Sequence, residues 1–278
     1  MNAIFLEKLV REVCELDVRA LKPGNVSIES AAHGMTANDF LLSAAAIAGP
    51  ISAANLSIGE RIFHAVEATQ AVVNCNTNLG IVLLLAPIIQ AALRKPSSLR
   101  DELSNQLAEL NVSDAQWAYR AIRLAKPGGL GKSAHHDIAQ AATVTLLEAM
   151  RVAASHDQIA NLYTTNFALL FEQGMPVWHR ALAKWQSQEW AASAVFLAYL
   201  ANTPDSLIAR KFGMATSQTV SATAQPLCQK FSQLDDPNDM RATLTAWDQE
   251  LKASGLNPGT TADMTVATAF LAGLQDHR

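Results

Sequence analysis

Apolar residues recur at three-four spacing along most of the chain, and polar stretches rich in glycine and proline interrupt them. Leu6, Leu9, Val10, Val13 and Leu16 share one helix face. Pro23 and Gly24 of LKPGNVS close that helix. A second helix is expected from Thr36, where Thr36 and Asp39 form a cap of capping-box type ahead of FLLSAAAIA. The AGP at Ala48 to Pro50 is expected to interrupt or kink it. Further helical patterns run from about Gly59 to Val73 and through IVLLLAPIIQAAL, which follows the polar loop Asn74 to Gly80. Others cover Ile138 to Ala154, Ile159 to Gln173 and Trp190 to Leu200. Asp205 opens another helix, Asp235 to Asp239 reads as a turn, and LNPGTTAD precedes the last helix. β-branched residues are scattered, and no alternating run is bounded by a hairpin turn, so strands are not expected. No repeat or linker divides the sequence. The pattern predicts one all-α domain over residues 1–278, a single multi-helix bundle with glycine-rich loops between helices.

Composition changes this picture in three ways. Half of the 278 residues are hydrophobic and only 17% are charged, which implies much buried helix surface in a core or an oligomer interface, and so a homodimer. A net charge of −4 leaves no basic face for nucleic acid. Cys14, Cys75 and Cys228 are isolated and form no CxxC pair, which fits reduced thiols in the cytoplasm. The N-terminus has charges throughout and no apolar core of a signal peptide. The longest apolar run, Ile81 to Ile89, is too short to span a bilayer and contains Pro87, so no membrane partner is expected.

Carboxylates on apolar faces carry the chemical signal, because a buried charge is costly without a partner. Asp17 shares the face of Leu6, Val10 and Val13. Asp263 shares that of Ala267, Phe270 and Leu274, and Glu67 borders the face of Phe63. Each has a structural alternative: Asp263 could cap its helix from the third position, and Asp17 could pair with an arginine. The loops KPGNVS, NTNLG, KPGGLGK and NPGTT share a second logic. Glycine admits close backbone approach, and a helix N-terminus offers N–H groups to phosphate. Lys22, Lys132, Arg210 and Lys211 could add full charges. Other motifs fail. GGLGKS lacks the first glycine of a P-loop, where Lys126 stands, and follows no strand. His135 to Asp137 resembles a metal site, but adjacent helical residues diverge by about 100°. There is no G-x-S-x-G elbow, and Trp178, Trp185, Trp190 and Trp247 read as core or interface.

The order of these segments resembles the triphosphoribosyl-dephospho-CoA synthase family. The resemblance rests on LKPGNVS, AHGMTANDFLLSAAAI, NTNLGIVLLLAPI, PDSLIARKFG and SGLNPGTTADMTVATAF, from about Leu16 to Leu274. It implies an all-helical fold with a nucleotide cleft. The implied activity transfers the triphosphoribosyl group of ATP to 3′-dephospho-CoA, whose 2′-hydroxyl attacks ribose C1′ while adenine leaves. Magnesium accompanies the triphosphate. Position by position, Asp17 matches the acid ahead of the K-P-G loop, and Lys22, Gly24 and Asn25 match the loop. Asn76, Thr77, Asn78 and Gly80 match N-T-x-x-G. Asn257, Gly259, Thr260 and Asp263 match the last segment, and Glu67 and Asp205 match flanking acids. Leu79 stands where lyase-associated members commonly have lysine, which makes the chain more similar to the archaeal and one-carbon branch.

The resemblance sets roles to be tested. Asp17, Glu67 and Asp263 are candidates for magnesium ligands or the base. Lys22, Arg210 and Lys211 are candidates for triphosphate contacts, and Asn25, Asn76, Asn78 and Thr260 for phosphate and ribose oxygens. Two alternatives stand beside this: a related ATP-dependent transferase with another acceptor in one-carbon or pterin cofactor synthesis, and a non-catalytic helical nucleotide-binding or scaffold protein.

Overall fold

The structure, a computed structural model, describes residues 1–128 and 138–277. Among the described residues there are fourteen α-helices and no strand. Two isolated bridges, Ser27 with Ser30 and Ala32 with Met35, pin the loop after the first helix. The chain groups into two compact units, each drawn from separate stretches: Met1–Glu12 with Asp39–Phe167, and Val13–Asn38 with Ala168–Arg278. Helix α1 (Ala3–Arg19) gives its start to the first and its end to the second.

The first unit contains α2 (Ala37–Ser52), α3 (Ile58–Val72), α4 (Leu79–Leu93), α5 (Leu99–Ala108), α6 (Val112–Ala125), α7 (Leu146–Ala153) and α8 (Gln158–Thr164). Helix α4 is apolar on every side and almost wholly buried, as a central helix should be. Helices α3 and α6 pack closely at Gly59, where a Cβ would stand 2.5 Å from the Asp114 backbone. Asp114 seals that contact: its Oδ1 accepts from Gly59 N at 2.9 Å and its Oδ2 from Asn111 N at 3.1 Å.

The second unit contains α9 (Met175–Trp185), α10 (Gln188–Asn202), α11 (Ser206–Phe212), α12 (Met214–Gln233), α13 (Arg241–Ala253) and α14 (Gly259–Asp276). A π-turn, Leu170–Gly174, leads into α9. Helix α10 is the buried centre, packed by α9, α12 and α14. Gly174 is required there, because a Cβ would lie 1.9 Å from the Tyr199 hydroxyl, which itself bonds Thr268 Oγ1 at 2.7 Å. Trp178, Trp190 and Trp247 are core residues, while Trp185 is half-buried.

Four local expectations change. Helix α2 runs through Pro50 and ends two residues later, so the lost hydrogen bond falls in its last turn. The pattern from Ile138 becomes helix only at Leu146, where Thr145 and Glu148 form a capping box. The pattern from Ile159 is broken because Asn166 and Phe167 take positive φ, and Phe167 tucks its ring against Tyr163. The last helix starts inside the NPGTTAD segment, at Gly259. The Asp235 to Asp239 turn holds a short 3-10 turn, Pro237–Met240.

Candidate functional site

Two of the glycine loops meet in the second unit. Asn25 of KPGN donates from Nδ2 to Oδ1 of Asn257 of NPGTT at 3.0 Å. Gly24 has φ of +84°, and a Cβ there would stand 2.8 Å from both the Leu256 carbonyl and the Pro258 ring. Only glycine fits both that backbone region and that gap. The Gly24 N–H donates to Asp248 Oδ1 at 2.8 Å, and the Gly24 carbonyl faces His33 Nε2 at 2.9 Å.

Asp17 and Lys22 lie under this junction, both nearly sealed from solvent. The Lys22 ammonium donates to the Asp17 carbonyl and, at 3.0 Å, to Asn25 Oδ1. It also stands 3.0 Å from Asp17 Oδ1 as an ion pair. That ammonium is the charge Oδ1 faces, and no other donor reaches it among the described residues. Lys22 is therefore turned inward, towards Asp17 and Asn25. Asp263 lies one turn into α14 and is half-buried, so it is past the position from which it could cap the helix. Asp17 and Asp263 come close enough to act on the same group. The Cys14 thiol is pushed up first by burial and then by the charges of Asp17 and Asp263.

Asp205 has a different surrounding. It is fully buried, and its Oδ1 accepts from Leu207 N and Ile208 N at 2.8 and 3.0 Å, capping α11. Its Oδ2 accepts from Thr261 N and Thr261 Oγ1, both at 2.8 Å, at the start of α14. Burial pushes its carboxyl up, and these four donors pull it back. One carboxylate thus holds two helix starts. Thr260 belongs to the same junction and receives Ser206 Oγ at 3.1 Å. Gly259 N bonds Asn257 O at 2.8 Å. The N–H groups of Gly259 and Thr261 are thereby committed within the fold. Arg210 is half-buried and Lys211 exposed, both in the last turn of α11.

The remaining candidates lie in the first unit. Glu67 is exposed and pairs with His64 at 3.3 Å. Asn76 Oδ1 accepts from Leu79 N at 3.1 Å, so it starts α4. Thr77 donates to Ser43 Oγ at 2.8 Å, and Asn78 Oδ1 accepts from Thr69 at 3.0 Å. Asn78 Nδ2 is buried with no partner. Gly80 is buried in the first turn of α4. Lys132, the glycines after Gly128 in KPGGLGK, and His135 to Asp137 lie outside the described residues.

Sequence reasoning missed Asp248 and Lys252, which pair at 2.8 Å on α13. Lys252 also reaches the Ser30 carbonyl at 3.3 Å, so the pair grips the 24–30 loop at both ends. A signal existed, since Asp248 shares the apolar stripe of Leu244 and Leu251. It missed Arg61 too, which is fully buried on the stripe of Ile58 and Ala65.

Magnesium typically takes one or two carboxylates plus phosphate oxygens and keeps several waters. Among the described residues no three His, Cys, Asp or Glu side chains group to hold a metal. Asp17 and Asp263 are the two carboxylates that could supply the smaller donor set magnesium needs beside a triphosphate, with Oδ1 of Asp17 already facing the Lys22 ammonium at 3.0 Å.

The family model of CitG, ATP:dephospho-CoA triphosphoribosyl transferase, matches residues 4–278. A solved structure from Archaeoglobus fulgidus, provisionally named a triphosphoribosyl-dephospho-CoA synthase, is similar at 24% identity with a TM-score of 0.65. The match covers 86% of this chain and 100% of that one; at that identity it shows a shared fold. No curated protein matches the chain.

Proposed function

The chain belongs to the ATP:dephospho-CoA triphosphoribosyl transferase family, and we propose that the interlocked loops of the second unit are where its chemistry is done. The protein is a transferase that uses ATP and dephospho-CoA. Neither another acceptor nor a scaffold role is favoured. One observation carries the site: Asp17 and Asp263, from opposite ends of the sequence, both act on the Cys14 thiol, beside the contact between the KPGN and NPGTT loops.

In the transfer, the bond from ribose C1′ to adenine breaks and a bond from the acceptor 2′-oxygen to C1′ forms. Positive charge builds at C1′ as adenine leaves. Carboxylates fixed beforehand stabilise that charge without reorganising. Asp17 is fixed by Lys22, which is in turn fixed by Asn25. Asp263, less buried, takes the hydroxyl proton. Magnesium held by Asp17 and Asp263 would supply charge neutralisation for the triphosphate. Arg210 and Lys211 add cationic contacts to the phosphates. Asn257 and Thr260 orient ribose and phosphate oxygens. In the first unit, Asn78 is the N-T-N-L-G residue with a donor still to give.

The test is adenine release from ATP with magnesium and dephospho-CoA, followed by chromatography. Adenine should appear in step with the acceptor adduct; ADP or AMP in its place would overturn the reading. We also assign the protein to the cytoplasm as a homodimer. Its free cysteines and the exposed Leu41, Leu42 and Val72 support this, and a monomer in sedimentation would overturn the dimer. Among the described residues, no helix is long and apolar enough to cross a membrane.

A further inference from the structure

The resemblance puts Lys22 at the triphosphate, and the structure puts its ammonium out of reach. The side chain is 1% exposed. It faces three protein oxygens: the Asp17 carbonyl, Asp17 Oδ1 and Asn25 Oδ1. An ammonium has three donors and no acceptor, so none remains for a ligand.

The local turn explains the contact with Asn25. The Asn25 N–H donates to the Lys22 carbonyl at 3.0 Å. Pro23 and Gly24, the latter at φ of +84°, fill the two central positions, the pairing that a type II turn favours. The first and last residues of such a turn are neighbours, and here the Asn25 amide meets the ammonium at 3.0 Å.

That meeting sets a polarity. Lysine only donates, so the end of the Asn25 amide that faces it must be oxygen. Asn25 therefore turns its nitrogen to Asn257, at 3.0 Å. Asn257 must answer with its oxygen, which leaves its own nitrogen on the far side. No other arrangement of the two amides satisfies all three groups. Asn25 is buried and Asn257 half-buried, so the series runs from the interior towards the surface. Among the described residues Asn257 Nδ2 makes no hydrogen bond, and it is open to solvent rather than sealed.

The chemistry of this donor selects its acceptor. A hydroxyl can donate or accept, so it is served by either end of an amide. Ionised phosphate oxygens only accept, and a donor of fixed polarity is useful to them. Both substrates carry such oxygens, ATP in a triphosphate and dephospho-CoA in a diphosphate. The lysine charge at the head of the series polarises each hydrogen bond in turn and strengthens the last donor.

We propose that Lys22 serves the substrate through two amides, so that Asn257 presents a fixed N–H donor to a phosphate oxygen of ATP or of dephospho-CoA. Lys22 and Asn25 are then positioning residues, and Asn257 is the binding residue. This rests on the proposed function, and the test separates the two. Asn257→Asp keeps the inner contact, because a carboxylate oxygen still accepts from Asn25, and it replaces the outer N–H with oxygen. Asn25→Asp keeps the Lys22 contact and cannot donate, so Asn257 must turn over and offer its oxygen outward.

Calorimetry reads both variants without turnover, with ATP and magnesium in one titration and dephospho-CoA in another. Each variant should weaken binding about tenfold, the loss of one hydrogen bond to a charged group. A loss confined to ATP assigns the donor to the triphosphate, and a loss confined to dephospho-CoA assigns it to the diphosphate. Asn257→Ala should cost as much. Adding Asn25→Asp to Asn257→Ala should then cost nothing further, because the series has lost its end. Asn257 is only half-buried, so Asn257→Asp should keep its helical circular dichroism and carries the test alone if Asn25→Asp does not fold. Unchanged affinity for both ligands in Asn257→Asp, or an Asn25→Asp loss that persists beside Asn257→Ala, overturns the proposal. If adenine is never released yet these losses appear, the function falls and the polarity assignment stands. If adenine is released and Asn257→Asp binds both ligands as wild type does, the polarity assignment falls and the function stands.

Discussion

Lys22 and Arg61 are both almost completely buried cations, and the fold treats them in opposite ways. Arg61 has no carboxylate. Its guanidinium donates to the carbonyls of Ile51, Ala53 and Leu56 and to Gln90 Oε1, at 2.5, 2.7, 3.3 and 2.7 Å. It closes the C-terminal end of α2, where carbonyls lack helical partners and the helix dipole favours a cation. Burial alone pulls its pKa down to about 10. Lys22 instead has a carboxylate oxygen, Asp17 Oδ1, at 3.0 Å as a buried ion-pair partner. The lesson is about what each cation is matched to. Dipole-capping by Arg61 consumes acceptors that folding would otherwise strand. The Lys22–Asp17 pair instead buries two full charges against each other, so removing either strands the other.

The largest expected effect tests that contrast directly. Asp17→Asn should lower the rate of adenine release by roughly a hundredfold or more, and the unpaired Lys22 should cost about 3 kcal/mol in urea unfolding. Full turnover in this variant would reduce Lys22 to a second Arg61, a purely structural cation. The reverse experiment is Arg61→Met. Stranded carbonyls should cost about 3 kcal/mol, with kcat per folded molecule unchanged; a kcat loss would erase the distinction.

Gly24→Ala comes next. The positive φ and the 2.8 Å approach to Leu256 O and Pro258 should cost about 2 kcal/mol, and the displaced Asn25 should raise KM for substrate. A neutral result would mean that the loops do not need their interlock. Asp205 gives a finer, pH-dependent test. Its carboxyl is held above the ordinary 3.8 in the folded state by burial. A raised carboxyl stabilises the fold most when protonated, so its contribution is complete below the unfolded value and declines as pH rises through the folded one. The stability of wild type relative to Asp205→Asn, from urea series at stepped pH, should fall upward from about 3.8 and then level. A difference that grows with pH would mean the four hydrogen bonds outweigh burial. Ser57→Ala, which breaks the α3 capping box in the unit of Arg61, should cost about 1 kcal/mol and leave turnover alone.

Much of this was legible in the sequence, for a physical reason. Glycine at an obligatory positive φ and proline at a helix end are local signals, so KPGN and NPGTT stood out before they were seen to touch. The resemblance supplied their joint meaning. Asp17 and Asp263 were legible because charge on an apolar stripe is anomalous. Partnership was not legible. Nothing local says that Asp205 bonds Thr261, because that choice is made by a contact distant in sequence; the turn of Lys22 to Asp17 and Asn25 is a short-range contact that a pattern of residue types does not reveal. Arg61 escaped because an arginine beside Ser57 and Glu60 reads as the polar side of a helix start. The early end of α8 escaped because Asn166, a residue that tolerates the left-handed region, stands inside an apolar pattern, and Phe167 after it is not one that announces such a turn.

The shared carboxylate of Asp205 has a consequence for how this protein can change. Since one side chain fastens α11 and α14 together, neither helix start can drift independently over generations. A substitution at 205 and one at 261 should compensate as a couple, and a laboratory selection that varies both together should recover more survivors than one that varies either alone.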